Sequence, residues 1–184
     1  MEIFGWGHHN SANVNKKGQV FTFSESFPPE YDAALDGLSF TMDIDGIQTD
    51  GAAYWLAVIK NGHSTKDLVV EHLHAWVPSF SNTQIYEAVI GQTFTYATNG
   101  TPIVPVNEKS GVTGGAQGDF YVNDGSGNIT TIGGTGLIIS RFIFGTTPID
   151  WHLGVVVPPN QTFMLRSDLA EKLTGTLHFY YRGE

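Results

Sequence analysis

Two histidines one residue apart, His72 and His74 in Val70-Glu71-His72-Leu73-His74, are the first candidates for chemistry in this chain. On a β-strand, residues two apart share a face. Both imidazoles can therefore reach one metal ion, with His152 or His178 supplied from a neighbouring strand. The plainer reading places His72 and His74 on the polar face of a half-exposed strand. Two further pairings could move protons: the carboxylates Asp43 and Asp45, and the acid–imidazole pair Asp150 and His152. Glycoside hydrolysis needs two carboxyl groups across a sugar cleft, and Asp43-Ile44-Asp45-Gly46 is explained more cheaply as a strand running into a turn.

Other constellations are weaker. Asn123-Asp124-Gly125-Ser126-Gly127-Asn128 resembles an oxygen-rich calcium loop but lacks the spaced glutamate, and its composition is also that of an ordinary turn. Gly133-Gly134-Thr135-Gly136 has no lysine and opens no helix, so it reads as a link and not a phosphate cradle. No Gly-x-Ser-x-Gly elbow is present, and no nucleophile can be paired with a base. The chain has no cysteine, which excludes thiolate chemistry and disulfides. These readings predict a protein that is not an enzyme and carries no cofactor.

The elements that must position these residues are strands. Residues 137–144, 151–157, 162–167 and 173–182 are short branched and aromatic runs, joined by links of hairpin length that predict antiparallel neighbours. In the last run Leu173, Gly175, Leu177, Phe179 and Tyr181 point one way, towards a core. Thr174, Thr176, His178, Tyr180 and Arg182 point the other way. Pro158 and Pro159 have no N–H to donate and close a strand into a turn completed by Asn160 and Gln161. Earlier strands are expected over 19–24, 38–44, 52–59 and 68–77, with the last stopped by Pro78 and a single helical turn over 31–35 behind Pro28 and Pro29. Over 84–97 the two periods compete: Ile85, Ala88 and Val89 suit a short helix, and Thr93-Phe94-Thr95-Tyr96 a strand. Residues 99–136 read as a long excursion, ordered in part through Phe120-Tyr121-Val122 and Ile129-Thr130-Thr131-Ile132.

Length and composition agree with one domain. The chain has 184 residues, 22 of them glycine, with 12% aromatic and 15% charged residues, as in a turn-rich β protein. The predicted fold is all-β: an antiparallel two-sheet sandwich of jelly-roll type over 19–184, preceded by an arm over 1–18 and carrying a long mid-chain loop. Phe4 and Trp6, with His8 and His9, are the candidate interface residues of that arm, because large aromatics in a polar tail gain most by docking on another subunit. A formal charge of −9 argues against direct nucleic-acid contact. No 18-residue apolar run marks a membrane span, and the first ten residues lack the pattern of a signal peptide, so a soluble product made in the cytoplasm is expected.

Three segments carry a resemblance. Asn99-Gly100-Thr101-Pro102-Ile103-Val104-Pro105-Val106-Asn107 is followed by a glycine-rich excursion. Then come Val155-Val156-Val157-Pro158-Pro159-Asn160-Gln161-Thr162-Phe163-Met164-Leu165-Arg166 and the final strand Gly175 to Arg182. Together these resemble the jelly-roll capsid decoration, or cement, proteins of tailed bacteriophages, over the C-terminal half of the chain. Such proteins often carry Asn-Arg-rich residues after the Pro-x-Asn segment, where this chain has Glu108-Lys109-Ser110-Gly111. The resemblance implies a homotrimer on the outer surface of a virion capsid, bound to the major capsid protein and stabilising its lattice. Two alternatives stand beside it. One is a carbohydrate-binding fibre or tail module using Trp55, Trp76 and Trp151 as stacking platforms. The other is a cupin-like metal-binding protein using His72 and His74, although a cupin's first motif continues with a glutamate and a glycine and this chain reads Ala75-Trp76-Val77-Pro78-Ser79.

Overall fold

The computed structural model describes residues 11–14, 20–23, 29–44, 47–48, 55–79, 85–91, 93–94, 100–109, 111, 114–123, 129, 132–167 and 172–183. Phe4, Trp6, His8 and His9, Asp45, and residues 124–128 of the oxygen-rich loop lie outside the described residues. In chain order the elements are β1 (Ser11–Val14), β2 (Val20–Phe23), α1 (Pro29–Leu35), β3 (Ser39–Asp43), β4 (Ile47–Gln48), β5 (Trp55–Asn61), β6 (Asp67–Trp76), β7 (Tyr86–Ile90) and β8 (Thr93–Phe94). There follow β9 (Thr101–Pro102), β10 (Val106–Asn107), β11 (Gly118–Val122), β12 (Ile132–Gly133), β13 (Leu137–Phe142), β14 (Ile149–Val157), β15 (Thr162–Ser167) and β16 (Lys172–Arg182). No helix among the described residues is long and apolar enough to cross a membrane.

Two antiparallel sheets pack face to face. The first has the order β10-β3-β16-β6-β14, with β4 also paired to β16, and the second has the order β13-β7-β15-β5-β11-β9. As the chain advances it alternates sheets. In the first sheet the late strand β16 lies between β3 and β6, and in the second the late strand β15 lies between β5 and β7. This is the jelly-roll topology, and it follows from the interleaving of late with early strands. β1 and β2 form a separate antiparallel pair, as do β8 and β12.

Every ladder is antiparallel, yet none of β13 to β16 pairs with its neighbour in sequence. The hairpin expectation for these links is therefore corrected. A short link can also arch from one sheet to the other, and the apolar faces of consecutive strands meet across the core and not side by side. The turn at Pro158–Gln161 is as expected: the Gln161 N–H donates to Pro158 O at 3.0 Å and Asn160 takes φ 62°.

A second correction concerns residues 85–90, which form strand β7 with no helix in their first half. Here tertiary context decides: β7 is paired on one side by β15 and on the other by β13. Tyr86 and Ala88 then face the core while Glu87 and Val89 face outwards. The expected helical turn is α1. Pro29 and the acidic Glu30 and Asp32 start it, and Gly37 at φ 71° stops it, with Leu38 N–H donating to Ala33 O at 2.7 Å.

The core lies between the sheets. Phe40, Met42, Leu68, Leu73, Leu177 and Phe179 from the first sheet meet Leu56, Ile59, Tyr86, Phe163 and Leu165 from the second, each essentially removed from water. Burying one such side chain is worth about 1.5–3 kcal/mol. Phe120 of β11 stacks on Phe179 at 5.3 Å between ring centroids, so the excursion contributes to this core. It also joins both sheets, through β9 and β11 on the β5 side of one and β10 on the β3 side of the other. A smaller cluster sits on the outer side of the second sheet, where Ile129 is fully buried against Val58, Val89 and Met164.

Candidate functional site

The outer face of the first sheet carries four of the seven histidines in the chain, and their placement follows from strand register. His178 of β16, His72 of β6 and His152 of β14 are direct cross-strand partners, with Thr41 of β3 opposite His178. One step along, Asp43, Thr176, His74 and Asp150 form a second row. Cross-strand partners lie closer than residues two apart on one strand, so imidazoles and carboxylates pair between strands.

Three acid–imidazole pairs result. His152 Nδ1 is 3.2 Å from Glu71 Oε1, His74 Nδ1 is 3.4 Å from Asp150 Oδ1, and His178 Nδ1 is 2.9 Å from Glu108 Oε1. The expected Asp150–His152 pair is thus exchanged: Asp150 takes His74 and His152 takes Glu71. The rings of His72 and His152 meet edge to face at 4.9 Å. The expected metal pair is redistributed in the same way. His72 approaches His152, while His74 is engaged by Asp150 and lies 6.3 Å from the ring of Trp76.

Glu71 was not legible as a site residue, and a β-bulge explains why. On β6, Leu68 and Val70 face the core, and then Leu73 and Ala75 do. The inward phase changes from even to odd numbers across Glu71 and His72, so both can turn to the outer face. Register records the same break. The stretch from His72 to Val70 on β6 lies against His152 to Val155 on β14 and, on its other side, against the adjacent residues His178 and Phe179 on β16. Opposite the bulge Gly154 adopts φ 59°, a left-handed conformation that glycine takes without steric cost. The one visible signal was the interrupted alternation in Leu68-Val69-Val70-Glu71-His72-Leu73.

Glu108, just beyond β10, joins the row from the opposite edge. Its carboxylate accepts hydrogen bonds from Ser39 Oγ and from Thr41 Oγ1, the latter at 3.0 Å, besides facing His178. Burial alone would raise the Glu108 carboxyl, but these hydrogen bonds and the charge of His178 outweigh it and hold the group below its ordinary range. The segment is anchored by Asn107 Nδ2, which donates to Gly37 O at 2.8 Å, and by Lys109 Nζ, which donates to Leu35 O at the end of α1. α1 covers one end of the face, with Ala33 buried against Val69 and Tyr180. Beside it lies an open concavity of about 260 Å³ lined by Glu30, Glu71, His72, Glu108, Asp150 and His178. Its lining is rich in imidazole and carboxylate, the groups that exchange protons and hold divalent cations.

A second surface of different character lies where β13 ends the second sheet. Leu137, Ile138, Ile139 and Ile143 are exposed there, Leu137 at 67%, and Ile149 and Val156 of β14, the last strand of the first sheet, are exposed as well. A strand that ends a sheet is usually protected by charge or proline, whereas this one presents three apolar residues in succession, with Arg141 following. The tryptophans named for glycan stacking are partly engaged. Arg166 lies over Trp55 at 5.4 Å, and Trp151 packs on Phe142 at 5.3 Å.

A scan against protein-family models finds no match, and comparisons with curated proteins and with solved structures find none either.

Proposed function

We propose that this protein is a non-enzymatic structural component of a virion: a homotrimeric jelly roll that binds the outer surface of a tailed-phage capsid and reinforces its lattice. The observation that carries this reading is the apolar edge formed by Leu137, Ile138, Ile139 and Ile143 with Ile149 and Val156. Exposed apolar area of this kind marks a protein–protein contact, and an edge strand offers main-chain hydrogen bonds as well. A cyclic trimer closes such an edge against two further copies of the same chain. Three copies then present three equivalent capsid contacts, so that individually weak contacts add up to firm attachment. The resemblance of the segments 99–107, 155–166 and 175–182 to phage decoration proteins supports the same reading, as does the charge of −9, which suits an outer surface better than one facing packaged DNA.

Light scattering on a sizing column tests the assembly, with an expected mass of three times 20.1 kDa. Replacing Leu137 and Ile139 together by lysine should give a folded monomer that no longer sediments with phage heads lacking the protein. A wild-type chain that is monomeric at high concentration, or a double variant that still forms trimers, would sink this reading.

A further inference from the structure

We propose that Glu71, His72 and His152 form a binding site for a divalent transition-metal ion of the zinc class on the outer face of the first sheet. One ligand atom from each of the three lies within 4.8 Å of both others. Donors on a zinc coordination sphere sit about 3–3.5 Å apart. The carboxylate and the His152 ring are already at that spacing, with 3.2 Å between Oε1 and Nδ1. Small rotations of the two imidazoles complete the approach. His152 is free to make one because its side chain is 66% exposed, while Glu71 is held in place by burial, its side chain only 12% exposed.

The backbone makes this set possible. Regular alternation would send Glu71 and His72 to opposite faces of the sheet. The bulge at Glu71, matched by Gly154 at φ 59° on β14, puts both on one face and His152 directly opposite. Bulges recur where a fold must aim a side chain out of strict alternation.

The donor set selects the ion. Two imidazole nitrogens and one carboxylate oxygen suit zinc, nickel or copper, whereas calcium and magnesium take oxygen ligands. Three protein ligands leave at least one coordination position for water or an outside group, and the concavity bordered by Glu30, Glu108 and Asp150 opens on that side. The set differs from the His72–His74 pair that spacing alone offered: His74 belongs to Asp150.

The test uses the untagged full-length protein, stripped with a chelator and titrated with zinc chloride by calorimetry. The expected result is one equivalent per chain, with affinity falling roughly tenfold or more in both Glu71→Gln and His152→Ala and changing little in His74→Ala. Zinc should raise the melting temperature of the wild type and leave that of His152→Ala unmoved. Cobalt substitution adds a direct signature, a visible absorption band present in the wild type and lost in His152→Ala. The His8–His9 pair is intact in every variant, so binding there would persist in His152→Ala. That outcome, no zinc uptake by the wild type, or an equal loss in His74→Ala would overturn the proposal. Circular dichroism confirms that each variant is folded; since His152 is exposed, an unfolded His152→Ala would also count against it.

Discussion

The outer faces of the two sheets are both built from antiparallel strands, and they end up with opposite characters. On the second sheet Ile129 returns over Val58, Val89 and Met164, with Trp55 and Tyr121 packed against them. Beside that cover, Arg141 and Arg166 both converge on Glu87. On the first sheet the same outward positions hold imidazoles and carboxylates beside an open concavity, with α1 covering one end. One outer face is covered and the other is left open to solvent. The excursion between β7 and β13 makes the difference, because Ile129, which lies within it, reaches the second sheet.

The largest effect should come from opening the covered face. Met164→Ala leaves a cavity under Ile129 and should cost about 2–5 kcal/mol in a urea melt. On the open face, His152→Ala in metal-free protein should stay within about 0.5 kcal/mol of the wild type. Equal losses would erase the contrast between the faces.

Next in size is the ion-pair cluster on the covered side. Burial alone would raise the Glu87 carboxyl, but hydrogen bonds from Arg141 and Arg166 and the charges of both hold it below its ordinary value of 4.5. Glu87→Gln should cost roughly 1–3 kcal/mol at neutral pH, because one arginine loses its acceptor and the other keeps only a neutral amide oxygen. The sign of the pH dependence follows from linkage: a carboxyl whose folded value is depressed contributes fully above its unfolded value and loses that contribution as pH falls through the folded one. Melts of the wild type and Glu87→Gln should therefore converge as pH drops below about 4. A gap that widens towards acid would contradict this account.

The smallest effect refines the apolar side. Thr162 is 1% exposed, and its hydroxyl has no hydrogen-bond partner among the described residues. Thr162→Val keeps the shape and removes the unsatisfied group, so it should raise stability by about 1 kcal/mol, read as a higher melting temperature.

Much of this was legible in the sequence, for reasons that separate the two kinds of information. The alternation of β16, with Leu177 and Phe179 inward and His178 outward, depends on one strand alone and was read correctly. So was the turn at Pro158–Gln161, which is fixed by local dihedral chemistry. What could not be read depends on partners. A link of hairpin length does not say whether the chain turns beside itself or arches across a core, and β7 needed β13 and β15 on its flanks to become a strand. Glu71 depends on a one-residue slip between strands far apart in sequence, so spacing put His74 beside His72 where the fold puts Glu71, while His152, expected from a neighbouring strand, does meet His72.

The interleaving of early and late strands also imposes an order on biosynthesis. β15 and β16 occupy the middle of their sheets, between strands that leave the ribosome long before them. Until Thr162 has been added, β5 and β7 lack the strand that joins them, and until Lys172 has been added so do β3 and β6. The nascent chain therefore carries unpaired edges in both halves through most of translation, the condition under which β proteins aggregate or engage chaperones. A ribosome paused just before β15 should yield a protease-sensitive chain, and the sandwich should close in one late step as the last two strands slot into place.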